Sequence, residues 1–163
     1  GAFEARMMKT IQAKRLLTRG IITWGDKLLL AYNKNDTFYF LPGGHVDLTE
    51  SASDALLREL LEETDLQRIA IGELSLCCVY ENMWREGEAD VFELILCFGA
   101  KLAEQSDHSG VSSREDHLSF HFLSAKDLAD VDFRPAKMKS MVLSSLSNDF
   151  PALTYFPLGG RTT

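Results

Sequence analysis

Residues Leu56 to Leu66 read LLRELLEETDL, and this stretch decides how the chain folds. It lies within SASDALLRELLEET, Ser51 to Thr64, which is rich in Ala, Leu and Glu and contains no Gly or Pro. Its apolar positions recur with a helical rather than a two-residue period. A helix is therefore expected, with the hydroxyl of Thr49 or Ser51 as its N-cap. On a wheel at roughly 100° per residue, Glu63 falls roughly 40° to one side of Glu59 and Glu62 roughly 60° to the other. Ala52 and Ala55 share that arc, while Leu57, Leu60 and Leu61 occupy the far side and face a core. Three carboxylates thus crowd one face, where like charges three or four residues apart cost roughly a few tenths of a kcal/mol per pair.

The flanks indicate what the crowding is for. Upstream runs TFYFLPGG, Thr37 to Gly44, an aromatic strand-like segment followed by the loop HVDLTE, His45 to Glu50. Gly43 and Gly44 let the backbone approach a ligand closely or adopt positive φ. Glu50 is placed to reach Arg58 as an ion pair that ties the loop to the helix. A solvated acidic face is the ordinary fate of a Glu-rich helix. Hard carboxylate oxygens gathered beside a glycine-rich turn instead suit Mg²⁺ or Mn²⁺, which commonly bring substrate phosphates with them.

Elsewhere the chain reads as a layered mixture of strands and helices. RGIITWGDKLLLAY is a strand pair turned at Gly25-Asp26-Lys27, and AIGELSLCCVYE and ADVFELILCFGAKL are strands joined near Arg85 to Glu88. HLSFHFLS is a further strand, SAKDLADVD a short helix, and PAKMKSMVLSSLSND a last helix opened by Pro135. Residues 1–14 read as a tail or first edge strand, 15–150 as one domain, and 151–163 as an irregular tail with two prolines and two glycines. The order of elements points to a mixed α/β layer fold.

Composition narrows the function. Hydrophobic residues make up 45% and charged residues 25%, the balance of an ordinary globular domain. A net charge of -7 argues against general nucleic-acid or anionic-membrane binding, so any anionic ligand needs local neutralisation. Cys77, Cys78 and Cys97 form no C-x-x-C pair and read as core thiols in a reducing compartment. Met7 or Met8 is read as the native start, no signal peptide or membrane span stands out, and a cytoplasmic location is expected.

The spacing Gly44, five residues, Glu50, seven residues, Arg58-Glu59-Leu60, one residue, Glu62-Glu63, two residues, Leu66 resembles the signature of the Nudix hydrolase family. Six matched polar or Gly positions, each met by chance roughly 6% of the time, put an accidental match at about one in ten million or rarer. The similarity extends from Arg19 to Leu128. One position departs: Asp65 stands where the family has the Gly that ends the helix, and Asp is expected to take the same left-handed conformation.

The resemblance implies an α/β/α sandwich around a mixed sheet. It implies an enzyme that cleaves the pyrophosphate linkage of a nucleoside diphosphate joined to a further group X: a nucleoside triphosphate, an ADP-sugar or a dinucleotide. By position, Glu59, Glu62 and Glu63 would hold divalent cations, Mg²⁺ or Mn²⁺, with Gly44 and Glu115 as further ligands. Glu59 or Glu63 would be the general base, and Arg58 and Glu50 their structural partners. Gly43, Gly44, Arg19 and His45 would meet the substrate. Phe38, Tyr39, Trp24 and Trp84 are candidates for base stacking, and His117 and His121 for substrate contact, although packing is the commoner role for each. A small-molecule nucleotide is the expected partner, and the resemblance leaves a homodimer open. A non-catalytic nucleotide sensor on the same fold is the alternative, one that usually shows lost box carboxylates; none is lost here.

Overall fold

A computed structural model describes residues 11–147 and 149–159. The strand pair read from the sequence is β1 (Ile11–Trp24) and β2 (Lys27–Asn33), joined by a two-residue turn in which Gly25 takes φ 59°. There follow β3 (Tyr39–Phe40), β4 (Gly43–His45), helix α1 (Ala52–Glu63), β5 (Ser75–Glu86) and β6 (Ala89–Lys101). The chain continues through β7 (Leu118–Ser124), α2 (Ala125–Asp130), α3 (Lys139–Ser147) and β8 (Thr154–Phe156).

All eight strands belong to one sheet, ordered β3-β2-β1-β6-β5-β8, with β4 also on β1 and β7 also on β2. It is mixed: β1–β6 and β5–β8 run parallel, and the remaining pairs run antiparallel. The central β1–β6 ladder extends from Ile11↔Ala89 to Thr23↔Lys101.

Two-residue alternation divides the strands between two cores. Leu17, Ile21, Leu28 and Leu30 pack with Leu128, Met138 and Val142 of the C-terminal helical region. Ile22, Leu29 and Ala31 pack with Leu56 and Leu60 of α1. Leu56 and Leu60 are fully buried, each contributing about 1.5–3 kcal/mol of transfer free energy. The leucine face of α1 therefore fixes the helix on the sheet and leaves its glutamate face directed away. The α/β/α sandwich follows.

Two expectations are corrected. The C-terminal segment is not wholly irregular: β8 pairs with β5, and the Tyr155 hydroxyl donates to Glu81. Apolar and aromatic positions at Tyr155 and Phe156 outweigh the flanking prolines, since Phe156 packs on Tyr80. At the other end, β1 already includes residues 11–14, while the rest of the N-terminal segment lies outside the described residues.

The second correction concerns Asp65. No non-Gly residue among those described has positive φ, so Asp65 does not stand in for a left-handed glycine. The helix instead ends on Thr64, whose backbone is extended and whose hydroxyl donates to the Leu60 carbonyl at 2.6 Å. Thr64 bridges to Ser113, the Asp65 carboxylate accepts from the Ser112 amide at 3.0 Å, and the Asp65 amide donates to the Ser112 carbonyl. The helix end is thus stitched to the 112–115 loop rather than turned by a glycine.

Asp65→Gly is expected to lower stability by about 0.5–1 kcal/mol through loss of the side-chain bond to Ser112. It should also speed hydrogen exchange at the Ser112 amide. Urea denaturation and exchange mass spectrometry measure both, and a gain in stability would show that this helix end prefers the left-handed turn.

Candidate active site

The acidic face of α1 is held in place by what lies at its N-terminal side. Ser51 caps the helix, its hydroxyl accepting from the Asp54 amide at 3.1 Å. Arg58, one turn further on, gathers the surrounding carboxylates. Its Nε and Nη2 donate to Glu50, the shortest contact being 2.7 Å, and Nη2 also donates to the His45 carbonyl at 3.0 Å. Its Nη1 donates to Glu59 Oε1 at 3.0 Å and to Glu62 Oε2 at 3.2 Å. The hydrogen bond from Arg58 holds the Glu50 carboxyl below its ordinary value, and Glu50 in turn raises the arginine. One guanidinium therefore fastens the His45–Glu50 loop to the helix and fixes one oxygen of Glu59.

The two glycines serve different ends. A Cβ on Gly43, which has φ 148°, would come within 2.0 Å of the Thr18 carbonyl oxygen. Its bareness is explained by β4 packing against β1 and by its positive φ, the second of the two uses expected of it. A Cβ on Gly44 would stand 2.6 Å from Cδ of Glu59 and 2.7 Å from Oε1. Gly44 is where a carboxylate lies directly on bare backbone.

Glu63 completes the centre. Desolvation first, then hydrogen-bonding contact with Glu59 and its charge, push the Glu63 carboxyl up to about 8. Two carboxylates in contact cannot both ionise unless positive charge joins them. Glu62 does not join this pair. Its side chain is 58% exposed against 15% for Glu59, and it is turned to Arg58. The wheel placed Glu62 on the same arc but could not show that the guanidinium would draw it outward. Among the described residues, no three His, Cys, Asp or Glu side chains converge as a preformed cage.

The donor set nonetheless fits a small hard cation. Mg²⁺ is commonly bound by one or two carboxylates plus waters and substrate phosphates rather than by a complete protein cage. Glu59 and Glu63 beside Gly44 meet that requirement.

Arg19 joins this centre to a cavity of about 1150 Å³. Its guanidinium donates to the Leu41 carbonyl at 3.3 Å, lies 5.8 Å from the Phe40 ring centroid, and feels the charges of Glu63, Glu93 and Glu59. Desolvation lowers its pKa from a high starting value, opposed by those carboxylates. Phe38, Phe40 and Trp84 line the cavity, and so do Asn82 and Glu93. Trp24 packs instead against Phe122 and His108, and Tyr39 against Tyr32 and His121. His45 keeps an exposed side chain and contributes its carbonyl to Arg58.

Glu115 stands near enough for its charge to act on Glu63. It is carried there by a loop whose Arg114 amide donates to the Glu63 carbonyl at 2.8 Å, and it is paired with His117 at 3.7 Å. Asn82 and Glu93 carry no signature spacing. Only the β5–β6 register, in which they are direct partners, brings them together.

The profile of the NUDIX domain family matches residues 14–142, with the Gly44–Glu63 centre inside it. The chain belongs to that family. Among curated relatives of this NUDIX chain, a putative 8-oxo-dGTP diphosphatase of Bacillus subtilis is 29% identical over 56% of the chain and 59% of its own length. An ADP-ribose pyrophosphatase of Methanocaldococcus jannaschii is 36% identical over 47% of the chain and 45% of its own length. The chain thus spans about half the length of the curated relatives it matches. The crystal structure of a mutator MutT protein from Bacillus halodurans superposes with a TM-score of 0.66 at 18% identity, covering 86% of both chains. That likeness establishes the shared fold.

The proton on Glu63 has a consequence for stability. Between its ordinary value of 4.5 and about 8, the folded protein binds more protons than the unfolded chain. Stability must then fall as pH rises through that window and level off above it. In chelator-treated protein, the free energy of urea unfolding is expected to drop from about pH 5 to about pH 8 by on the order of 1–2 kcal/mol after solvent screening. Glu63→Gln should flatten the difference; an unchanged slope would place the titration elsewhere.

Proposed function

We propose that this NUDIX protein is a divalent-cation-dependent hydrolase of the pyrophosphate linkage in a nucleoside diphosphate joined to a further group X. The observation that carries the reading is Glu59 lying against bare Gly44 with Glu63 beside it, an arrangement of oxygens that calls for a cation. Family membership supports it, as do the names of the two curated relatives, both of which denote diphosphate-cleaving enzymes.

Glu59 and Glu63 would hold Mg²⁺ or Mn²⁺, with Gly44 as a main-chain ligand and Glu62 and Glu115 as ligands that must turn inward. The bound cation supplies neutralisation of the phosphate oxygens and acidification of the attacking water. Glu63 would accept the proton of the attacking water on a carboxylate oxygen. Arg19 meets the phosphates from the sheet side, where its desolvated charge acts strongly. Arg58 and Glu50 touch no substrate; they fix the Glu59 carboxylate so that its position is set before binding. A small-molecule nucleotide is the partner, and no helix among the described residues is long and apolar enough to cross a membrane.

A panel including 8-oxo-dGTP, ADP-ribose and dinucleotide coenzymes should show phosphate or nucleotide release that chelator abolishes and Mg²⁺ or Mn²⁺ restores. Glu59→Gln and Glu63→Gln should each lower kcat roughly 100-fold or more. Arg58→Ala should cost roughly 10- to 100-fold through loss of positioning. Complete silence across the panel with either metal would refute the proposal.

A further inference from the structure

The cavity beside Arg19 carries a polar feature that hydrolysis of an anhydride does not require. Glu93 on β6 and Asn82 on β5 face each other as direct partners across the antiparallel ladder, and both line the cavity. Glu93 is half-buried. Burial pushes its carboxyl above the ordinary value, opposed by Arg19, Arg15 and Asn82. Such a carboxylate has acceptor capacity that one carboxamide does not exhaust, and it sits in a cavity that Phe38, Phe40 and Trp84 line together with the charged Asp132, Arg134 and Lys137.

Two physical constraints identify what it accepts from. A phosphate is excluded at this spot, since like charge in a partly desolvated site is repelled. The group that meets Glu93 directly must therefore be a hydrogen-bond donor, and on the sugar of a nucleotide the donors are its hydroxyls. Connectivity then selects the group. Arg19 stands on β1 between β4, where Glu59 lies against Gly44, and β6, which carries Glu93, and it feels the charges of Glu63, Glu59 and Glu93. If the phosphates occupy the first side, the next covalent unit of a nucleotide, its sugar, reaches the second. The base passes beyond it to Phe38 and Trp84.

We propose that Glu93, held by Asn82, selects ribonucleotides over 2′-deoxyribonucleotides by accepting hydrogen bonds from the neighbouring 2′- and 3′-hydroxyls of the ribose. Asn82 is a positioning residue; Glu93 touches the sugar. The inference rests on the reading of the Glu59–Glu63 centre as the phosphate site. It adds a substrate class: ribonucleotide-based anhydrides rather than damaged deoxynucleotides. A bond to a charged acceptor is worth enough that loss of one hydroxyl weakens binding about ten-fold or more.

The test uses the full chain with nucleoside monophosphates, which hold no anhydride and so are not consumed. Titration calorimetry in Mg²⁺ should show AMP binding about ten-fold or more tighter than dAMP, and GMP likewise over dGMP. Glu93→Ala should bring each ratio close to one, with AMP losing more affinity than dAMP, which keeps only its 3′-hydroxyl, and Asn82→Ala should shrink the ratio part-way. Equal affinities in the wild-type chain overturn the proposal, as does a ratio that survives in Glu93→Ala, or no binding of either monophosphate at millimolar concentration. Should Glu93→Ala not fold, the wild-type ratio decides alone. Failure of the hydrolase reading looks different: no anhydride is cleaved, yet the monophosphate ratio can still be read.

Discussion

The site depends on one guanidinium. Arg58 bonds to Glu50, Glu59, Glu62 and the His45 carbonyl at once, and without it the four groups would have no common partner. Its planar fork suits this role because five N–H donors leave in fixed directions, which a lysine ammonium cannot match. Exposed ion pairs are usually worth little, but this one is a network in which Glu50 is only 17% and Glu59 only 15% exposed. The network converts an acidic helix face, which by itself would splay its charges into water, into one with a fixed inner carboxylate. It also divides the acids: Glu59 is drawn against Gly44 and Glu63, while Glu62 is retained at the rim.

The sheet supplies the opposite wall. The parallel β1–β6 ladder puts Arg19 directly beside Cys97, and the antiparallel β5–β6 ladder puts Asn82 beside Glu93. The helix presents negative charge, the strands return a partly buried positive one at Arg19, and the cavity beside Arg19 is lined by the strands and by the segment from Asp132 to Met138. Two leucines of α1 hold this geometry together. Burial of Leu56 and Leu60 sets the rotation of the helix, which turns the Glu59 and Glu63 side away from that core, and Arg58 then fixes Glu59. Function here is a by-product of a packing decision made on the other side of the same helix.

The departure at Asp65 shows how a motif position can change its residue and keep its purpose. A glycine ends a helix by turning it left-handed. Here Thr64 ends it in extended backbone and Asp65 bonds to Ser112, so the next segment is directed by pairing instead. That pairing brings the 112–115 loop, with Glu115, toward Glu63. The substitution exchanges a turn for a tether, and the tether ends at the site.

The sequence by itself determined the acidic helix, a cap at Thr49 or Ser51, the Glu50–Arg58 partnership, the main strands and the layered fold class. All of these rest on local period, on capping and on fixed spacing within about twenty residues. The tertiary structure alone decided that Glu62 stands apart from Glu59 and Glu63, because competition for one guanidinium depends on where its fork points. It alone showed that Gly43 is bare for the sake of β1, and that β8 joins the sheet despite its prolines. Only strand register, which no spacing encodes, could set Asn82 against Glu93 beside Arg19. Contacts between residues far apart in the chain follow from how the sheet is ordered, and that order is fixed by the burial of two cores at once rather than by any short stretch.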